Sequence, residues 1–207
     1  FSDRESYTAL KKTIDECDKE WGLCSNKLFY LAVAPEFYET IFRNLAASKL
    51  SEPCDEDGGW TRLIIEKPFG VDLKTAKSIE KVLTKMFEPE QIYRIDHYLA
   101  KEMLQNILTF RFANNLFESR WGKDLIERVH IRSLEEIGVE KRGAFYDSVG
   151  AFRDVGQNHF LQMLALITME HPQNFDSKSI HAKRAAILKK LKIPTKNDIE
   201  KHTFRAQ

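Results

Sequence analysis

The sequence predicts an α/β protein whose first hundred residues alternate between helices and short parallel strands. Three apolar runs, at 27–34, 60–66 and 91–95, are separated by stretches in which apolar residues recur at helical spacing. Short, nearly continuous apolar runs are typical of strands that are buried on both faces of a parallel sheet. The alternating order predicts a doubly wound sheet, in which ligands bind at the carboxyl ends of the strands.

The helices of this first part follow from apolar spacing and from residues that begin or end helices. Residues 6–21 predict a helix that stops at Gly22, and residues 37–45 continue with helical spacing. Asp72 can cap a third helix over 73–86.

The pattern changes after residue 100, where helices predominate. Residues 126–134 alternate between apolar and polar side chains, which predicts a half-buried strand. The other predicted elements are a helix over 101–112, a long helical stretch over 143–169 interrupted by Gly150 and Gly156, and a basic, amphipathic helix over 177–191 capped by Asp176 or Ser177. We place a boundary near Tyr98, which gives the domains 1–98 and 99–207.

Composition indicates a globular protein without a general electrostatic attraction to nucleic acid or membranes. Apolar residues make up 43% and charged residues 30% of the 207 residues, which is enough apolar surface to build a core. The 32 Lys and Arg residues nearly balance the 31 Asp and Glu residues, so we expect no nucleic-acid or membrane partner. No apolar run approaches the roughly 20 residues that span a bilayer.

The cysteine and histidine positions argue against a disulfide framework and against a metal site. The three cysteines, Cys17, Cys24 and Cys54, are an odd number without a CxxC pair. This argues against a disulfide framework and a cysteine-rich zinc site, and it favours a cytoplasmic protein. His130, His171, His181 and His202 have no partner at metal-ligand spacing and zinc signatures such as HExxH are missing, so we predict no metal site. The nucleotide-binding pattern GxGxxG is also absent.

Ionisable residues crowd the predicted end of the third strand, in the stretch RIDHYLAKE (94–102). If a helix begins directly after the strand, His97 and Lys101 lie four residues apart on one face and can bind a phosphate group. Asp96 stands beside them at the strand end. On spacing alone, an ion-pair network at a strand–helix junction is an equally good interpretation.

A second polar block, RDVGQNH (153–159), interrupts an apolar helical run. Five α-helical residues turn by about 500°, so Asp154 and His159 would flank a groove, roughly 140° apart. His159 can act as a base near neutral pH. A histidine that is simply packed against the sheet is the commoner interpretation of such a residue.

Lys67 and the pair Glu135–Glu136 are weaker candidates for site residues. Lys67 follows the second strand, in EKPFG (66–70), and would place an ammonium group at the ligand crevice. An ordinary strand–turn–helix connection is the alternative. Glu135 and Glu136 follow the alternating strand, where a solvated acidic turn is the alternative.

Together these motifs resemble the glucose-6-phosphate dehydrogenase family. In chain order, the matching stretches are LAVAP (31–35), EKPFG (66–70), RIDHYLAKE (94–102), RFAN (111–114) and RDVGQNH (153–159). The resemblance implies the C-terminal part of a Rossmann-like, doubly wound coenzyme domain, followed by the start of an α+β domain.

The resemblance further implies an NADP-dependent dehydrogenase that oxidises glucose 6-phosphate at C1, in the first step of the oxidative pentose phosphate pathway. By motif, His159 is the general base and Asp96 is its orienting carboxylate. The other matched residues bind ligands: His97, Tyr98 and Lys101 the phosphate, Glu135 and Asp154 the sugar hydroxyls, Lys67 both substrate and coenzyme, and Tyr38 the coenzyme. The resemblance also implies that the full-length enzyme is a cytoplasmic homo-oligomer.

The chain departs from the family pattern at two positions. Ala100 stands where the family usually has Gly, and Gly156 stands where a larger residue is common. The family's glycine-rich coenzyme motif precedes the matched stretches and its large sheet follows them, so we expect the 207-residue chain to be inactive alone. By resemblance, we also expect a cis peptide bond between Lys67 and Pro68.

Two other functions stay open on the sequence. One is a non-catalytic module that binds sugar phosphates, and the other is a phosphosugar isomerase that uses the same pair of His159 and Asp96. A glycine-rich strand–helix start upstream of Phe1 would favour the dehydrogenase over the module, and formation of NADPH from glucose 6-phosphate would exclude the isomerase.

Overall fold

The computed structural model of the protein describes residues 1–54, 58–113, 118, 120–134, 136 and 138–204. The chain divides into two compact units, Phe1–Asp96 and His97–Gln207, so the division lies close to the boundary expected near Tyr98. Within the ranges described, no helix is both long and apolar enough to cross a membrane.

The first unit contains a parallel three-stranded sheet with helices between its strands. Its elements are α1 (Arg4–Trp21), β1 (Lys27–Leu31), α2 (Tyr38–Ala47), β2 (Thr61–Ile65), α3 (Leu73–Leu83) and β3 (Ile92–Arg94). The strand order is β1-β2-β3, and the register pairs Leu31 with Ile65 and Ile65 with Arg94. This is the alternating helix and strand order that the sequence predicts.

Gly22 and Asp72 lie at the helix ends that the sequence predicts for them. Gly22 ends α1 in the left-handed conformation, with φ of 66°, which glycine adopts without steric cost. The carboxylate of Asp72 accepts a hydrogen bond from the backbone N–H of Thr75, and this caps the first turn of α3 as predicted.

The core of this unit lies on one face of the sheet, where α2 and α3 pack through Phe42, Leu45 and Leu83. The prediction that the strands are buried on both faces is wrong for β1, because Leu28 and Tyr30 are 54% and 57% exposed. Their side chains alternate with the core-facing residues and point to the face that is opposite α2 and α3.

The second unit is helical in its described part. Its elements are α4 (Glu102–Phe112), α5 (Gly143–Val149), a π-helical segment (Phe152–Phe160), α6 (Leu161–Thr168), α7 (Ser177–Lys189) and α8 (Lys196–His202). Asp176 caps α7 as predicted. A small core of Phe112, Leu166 and Met169 lies between α4, α6 and α7.

Two predictions fail in this unit. Residues 126–134 do not form a strand, because a strand needs a neighbouring backbone to bond with and the described part of this unit offers none. Leu134, at the end of this stretch, is 91% exposed. Gly150 interrupts the long helical stretch at φ 78°, but Gly156 lies inside the π-helical segment and does not interrupt it.

The expectation against a disulfide is also wrong. Cys24 and Cys54 are joined as a disulfide, with their Cα atoms 6.3 Å apart, while Cys17 is a free thiol. An odd number of cysteines allows one pair and one free thiol, and only the fold brings this pair together.

Candidate active site

The parallel sheet of the first unit brings Lys67 and Asp96 to the same edge. Each follows a strand that ends at this edge, because β2 and β3 are paired and run in the same direction. The backbone N–H of Ile95 donates to the carbonyl of Ile65 at 3.0 Å, so the pairing continues one residue past β3. Such an edge is where doubly wound sheets bind their ligands.

Two tyrosines hold Glu66, the residue before Lys67. The hydroxyl of Tyr38 donates to the carbonyl oxygen of Glu66 at 2.7 Å, and the hydroxyl of Tyr30 donates to its Oε1 at 2.6 Å. Burial raises the pKa of the Tyr38 hydroxyl, and the negative charge of Glu66 raises it further. The end of β2 is therefore fixed from two sides, which positions the backbone of Lys67.

Tyr38 is fully buried in the core of the unit, at 0% exposure. Its ring stacks on Phe42, with the ring centroids 5.8 Å apart. The structure thus shows how Tyr38 positions the strand end, and direct contact with the coenzyme stays a prediction.

The turn after β2 has the predicted backbone conformation. The peptide bond between Lys67 and Pro68 is cis, which confirms the expectation, and Lys67 is half-buried. Gly70 follows at φ 105°, and a Cβ atom there would lie 2.5 Å from the backbone nitrogen of Ala76. Only glycine permits this close approach of the turn to the first turn of α3.

In the second unit, Tyr98 is the centre of a cluster of predicted site residues. Its ring stacks on the imidazole of His159, with centroids 4.1 Å apart and planes 20° apart. The ammonium of Lys101 lies 3.9 Å from the centroid of the same ring, which is cation–π distance. His97 contacts both rings, at 4.7 Å from Tyr98 and 4.9 Å from His159.

The backbone of this cluster differs from the helix that the spacing suggested. Residues 97–100 form turns, and α4 begins at Glu102. Lys101 is the residue that precedes the helix, and its backbone N–H donates to the carbonyl of Tyr98 at 3.1 Å. His97 and Lys101 are exposed beside a helix N-terminus, which favours the binding of an anion there.

His159 and Asp154 lie in the π-helical segment, which changes their predicted relation. The wider π-helical turn, with hydrogen bonds from residue i+5 to residue i, holds about 4.4 residues, so the two side chains lie roughly 50° apart on one side instead of 140° apart. The exposures agree, since Asp154 is 5% and His159 is 0% exposed. The hydroxyl of Tyr146 donates to Oδ2 of Asp154 at 3.4 Å.

One predicted residue, Glu135, lies outside the described residues. The structure also shows a residue to which the sequence analysis gave no role. Arg111 is 1% exposed and donates to the carbonyl oxygens of Leu166, Ile167 and Met169 at the end of α6. The signal was available, because Arg111 is a charged residue inside the apolar run of α4.

Comparison with known proteins gives two family matches. Residues 1–106 match the model of the glucose-6-phosphate dehydrogenase NAD binding domain, and residues 108–207 match that of the glucose-6-phosphate dehydrogenase C-terminal domain. A glucose-6-phosphate 1-dehydrogenase of Chlamydia trachomatis is 46% identical, over 92% of this chain and 44% of the relative. One of Streptococcus pneumoniae is 44% identical, over 100% of this chain and 41% of the relative.

Solved structures agree with these matches. A glucose-6-phosphate dehydrogenase in complex with its substrate glucose 6-phosphate has a TM-score of 0.77 and 38% identity, and it covers 91% of this chain and 38% of its own. Glucose-6-phosphate 1-dehydrogenase from Mycobacterium avium has a TM-score of 0.77 and 37% identity. The chain spans about two fifths of the length of the curated relatives it matches, 44% and 41% in the two cases above.

Proposed function

Because this chain belongs to the glucose-6-phosphate dehydrogenase family, we propose that it carries the reacting centre of an enzyme that oxidises glucose 6-phosphate. In this reaction the C1 hydroxyl becomes the carbonyl of 6-phosphogluconolactone. The hydroxyl loses a proton, and C1 loses a hydride with its two electrons. NADP, when bound, accepts that hydride.

The arrangement around Tyr98 is the observation that carries this proposal. The imidazole of His159 and the ammonium of Lys101 both contact its ring, at 4.1 Å and 3.9 Å from the ring centroid. The base and the cation are therefore at most about 8 Å apart. This separation suits a hexose phosphate, whose C1 hydroxyl and phosphate group stand at opposite ends of one sugar ring. The cluster can therefore bind the phosphate at Lys101 while it presents C1 to His159.

The phosphate binds at the exposed part of the cluster. Lys101 and His97 supply positive charge, and the hydroxyl of Tyr98 supplies a hydrogen bond. The N-terminus of α4 adds a favourable dipole for the anion. These groups do not change their bonding during the reaction, so their contribution is to affinity and to orientation.

His159 takes the proton from the C1 hydroxyl. Its complete burial keeps competing water away from the imidazole, and the ring of Tyr98 fixes the imidazole plane. Asp96 is the proposed partner of the second ring nitrogen, where its negative charge would stabilise the imidazolium that forms.

The remaining proposed contacts orient the sugar and the coenzyme. Asp154, held by Tyr146, and Glu135 accept hydrogen bonds from sugar hydroxyls. Lys67, at the carboxyl edge of the sheet, would hold the coenzyme and substrate at their meeting point. Tyr38 would support the coenzyme from beneath this edge, since its hydroxyl is bonded to Glu66.

Three finer features belong to the same proposal and follow from the family resemblance. The coenzyme is NADP rather than NAD, the full-length enzyme is a homo-oligomer, and it works in the cytoplasm. Coenzyme preference is measured as kcat/KM with each coenzyme, and oligomeric state by light scattering on the full-length protein.

The direct test is nicotinamide reduction by the full-length protein, followed by absorbance, with glucose 6-phosphate as substrate. We expect turnover that requires both the sugar phosphate and NADP. A phosphosugar isomerase would convert the sugar phosphate without reducing NADP, and a binding module would do neither. Either result would contradict the proposal.

A further inference from the structure

A second group of chemically reactive side chains lies in the first unit, at the edge of the sheet opposite the strand ends described above. We call it the cysteine–lysine cluster; it consists of Asp18, Cys24, Lys27 and Cys54. Cys24 precedes β1 and Cys54 precedes β2, so both cysteines lie at the amino-terminal side of these parallel strands. The proposed reaction uses none of these residues.

Lys27 is the centre of this cluster. Its side chain is only 7% exposed, and its ammonium lies 3.4 Å from Sγ of Cys54 and 3.7 Å from Sγ of Cys24. Its oxygen partners are the carbonyl of Ser25 at 3.1 Å and the carboxylate of Asp18 at 3.6 Å. Among the described residues, two of the four groups around this buried positive charge are therefore sulfur atoms.

The two redox states of the sulfur atoms satisfy this ammonium unequally. A disulfide is neutral and is a weak hydrogen-bond acceptor, whereas a thiolate beside an ammonium forms a strong, charge-assisted pair. Asp18 lies 3.8 Å from Sγ of Cys24 and 3.6 Å from Lys27, so it can accept a proton donated by the Cys24 thiol. The cluster thus has a place for one thiolate, at Cys54, and for one thiol, at Cys24.

The exposure of the two cysteines and the backbone around them are also compatible with a disulfide that forms and breaks reversibly. Both cysteines are half-buried rather than enclosed. Gly59 lies against Cys24, and a Cβ atom at this position would be 2.9 Å from Sγ and 2.8 Å from the carbonyl oxygen of Cys24. Glycine here lets the segment that carries Cys54 approach Cys24 closely.

From this geometry we propose that Cys24 and Cys54 form a reversible thiol–disulfide site, with Lys27 activating Cys54. A stabilised thiolate favours the reduced pair and makes the disulfide more readily reducible than a purely structural one. The partner is a small or protein disulfide, of the class of oxidised glutathione or an oxidised dithiol protein.

The proposed reaction is a thiol–disulfide exchange in two steps. The thiolate of Cys54 attacks one sulfur atom of the partner disulfide, forms a mixed disulfide and releases one thiolate. The thiol of Cys24 then loses its proton and attacks Sγ of Cys54, which releases the second thiolate. The two cysteines are oxidised by two electrons, the partner disulfide is reduced to two thiols, and the reverse sequence restores the reduced pair.

Metal binding is the rival use of these side chains. Asp18, Cys24 and Cys54 offer ligand atoms within 4.8 Å of one another. The ammonium of Lys27, however, already lies beside all three groups, and a divalent cation among them would be repelled by it. The charge arrangement therefore favours the thiol–disulfide site.

The test equilibrates the full chain with mixtures of reduced and oxidised glutathione, then traps free thiols by alkylation and quantifies the Cys24–Cys54 link by mass spectrometry. We expect the linked fraction to change over the ratios that glutathione buffers cover. A link that stays intact at every ratio would show a structural disulfide and overturn the proposal. Zinc bound at one equivalent per chain would overturn it as well.

Variants separate the role of Lys27 from a general effect of charge. Lys27→Gln should slow alkylation of Cys54 in the reduced protein by about tenfold, whereas Lys27→Arg should keep most of the rate. Lys12→Gln removes an exposed lysine of α1 and should change nothing. Equal rates in Lys27→Gln and Lys12→Gln would contradict the activation.

Asp18→Asn keeps the proposal testable if Lys27→Gln does not fold, which melting curves will show. Removal of the competing carboxylate leaves Lys27 to the sulfur atoms, so Cys54 should be alkylated severalfold faster. An unchanged or slower rate in folded Asp18→Asn would refute the proposed charge arrangement.

Discussion

Arg111 offers the sharpest test of how the second unit is held together. Its guanidinium donates to Ile167 at 2.7 Å, Met169 at 2.9 Å and Leu166 at 3.2 Å, and it lies 3.4 Å from a carboxylate oxygen of Glu118. Leu166 and Ile167 belong to the last turn of α6, where carbonyl groups lack helical partners, and Met169 directly follows the helix. Arg111 thus satisfies the carboxyl end of the helical stretch that carries His159.

Replacement of Arg111 by Met keeps much of the apolar length but removes the charge and all of these donors. Burial lowers the pKa of the Arg111 guanidinium although Glu118 opposes this, which shows that desolvation costs part of the gain. Removal of one partner from a buried, bonded ion pair typically costs about 3–5 kcal/mol. We expect Arg111→Met to lower the free energy of unfolding by that amount.

The assay is urea unfolding of chains in which Trp21 and Trp60 are replaced by Phe, so that the fluorescence of Trp121 reports the second unit. The indole N–H of Trp121 donates to Ile167 at 2.8 Å. The matched control is Lys196→Met, which removes an exposed lysine paired with Glu200 one turn away on α8. Such exposed pairs contribute about 0.3–0.5 kcal/mol. If Arg111→Met costs no more than Lys196→Met, then the carbonyl contacts do not stabilise the unit. Arg111→Lys should be intermediate, and it gives a measurable value if the Met variant does not fold.

Three further changes test other parts of the account. Lys101→Ala in the full-length enzyme should raise KM for glucose 6-phosphate by roughly 10- to 100-fold and leave kcat nearly unchanged, because the phosphate does not react; a fall in kcat alone would contradict this. Hydrogen bonds from Ser25, together with the charge of Lys27, lower the pKa of Asp18. The ionised Asp18 should therefore stabilise the fold at pH values above the ordinary pKa of an aspartate, and this stabilisation should be lost as the pH falls through the lowered pKa. Urea unfolding at pH 7 and pH 3 should show that Asp18→Asn loses less stability between the two pH values than the unmodified chain does. Phe42→Ala should cost about 3–5 kcal/mol in urea unfolding that is followed by the fluorescence of Trp60 in the same unit, since Phe42 is fully buried between Tyr38 and Phe87; a loss below about 1 kcal/mol would contradict the described core.

Local sequence signals were sufficient to locate the helices and strands of the first unit. Asp72 and Gly22 mark helix ends through hydrogen bonds and conformations that involve only neighbouring residues. The short apolar runs located all three strands, because their register against one another buries Leu31, Leu63 and Ile65 on one face. Exposure of Tyr30 was not predictable, since it depends on what packs against the opposite face of the sheet.

The failures in the second unit depend on contacts between distant residues. Alternation over 126–134 is a signal for a strand only where another backbone can pair with it. The π-helical segment changed the relation of Asp154 to His159, which α-helical geometry would have placed about 140° apart. In the first unit, the pairing of Cys24 with Cys54 likewise follows from the approach of two segments and not from cysteine spacing.

His159 is the proposed base of the reaction. This role is tested by kcat of the full-length His159→Asn variant, with the melting temperature measured on the same preparation. The substitution keeps a similar shape and removes the base, so kcat should fall by at least about 100-fold while KM for glucose 6-phosphate stays close to its original value. His171→Asn, which alters a histidine packed on Phe112, is the control and should leave kcat unchanged. A normal kcat in His159→Asn, with only a lower melting temperature, would show that His159 is a core residue and would contradict the account.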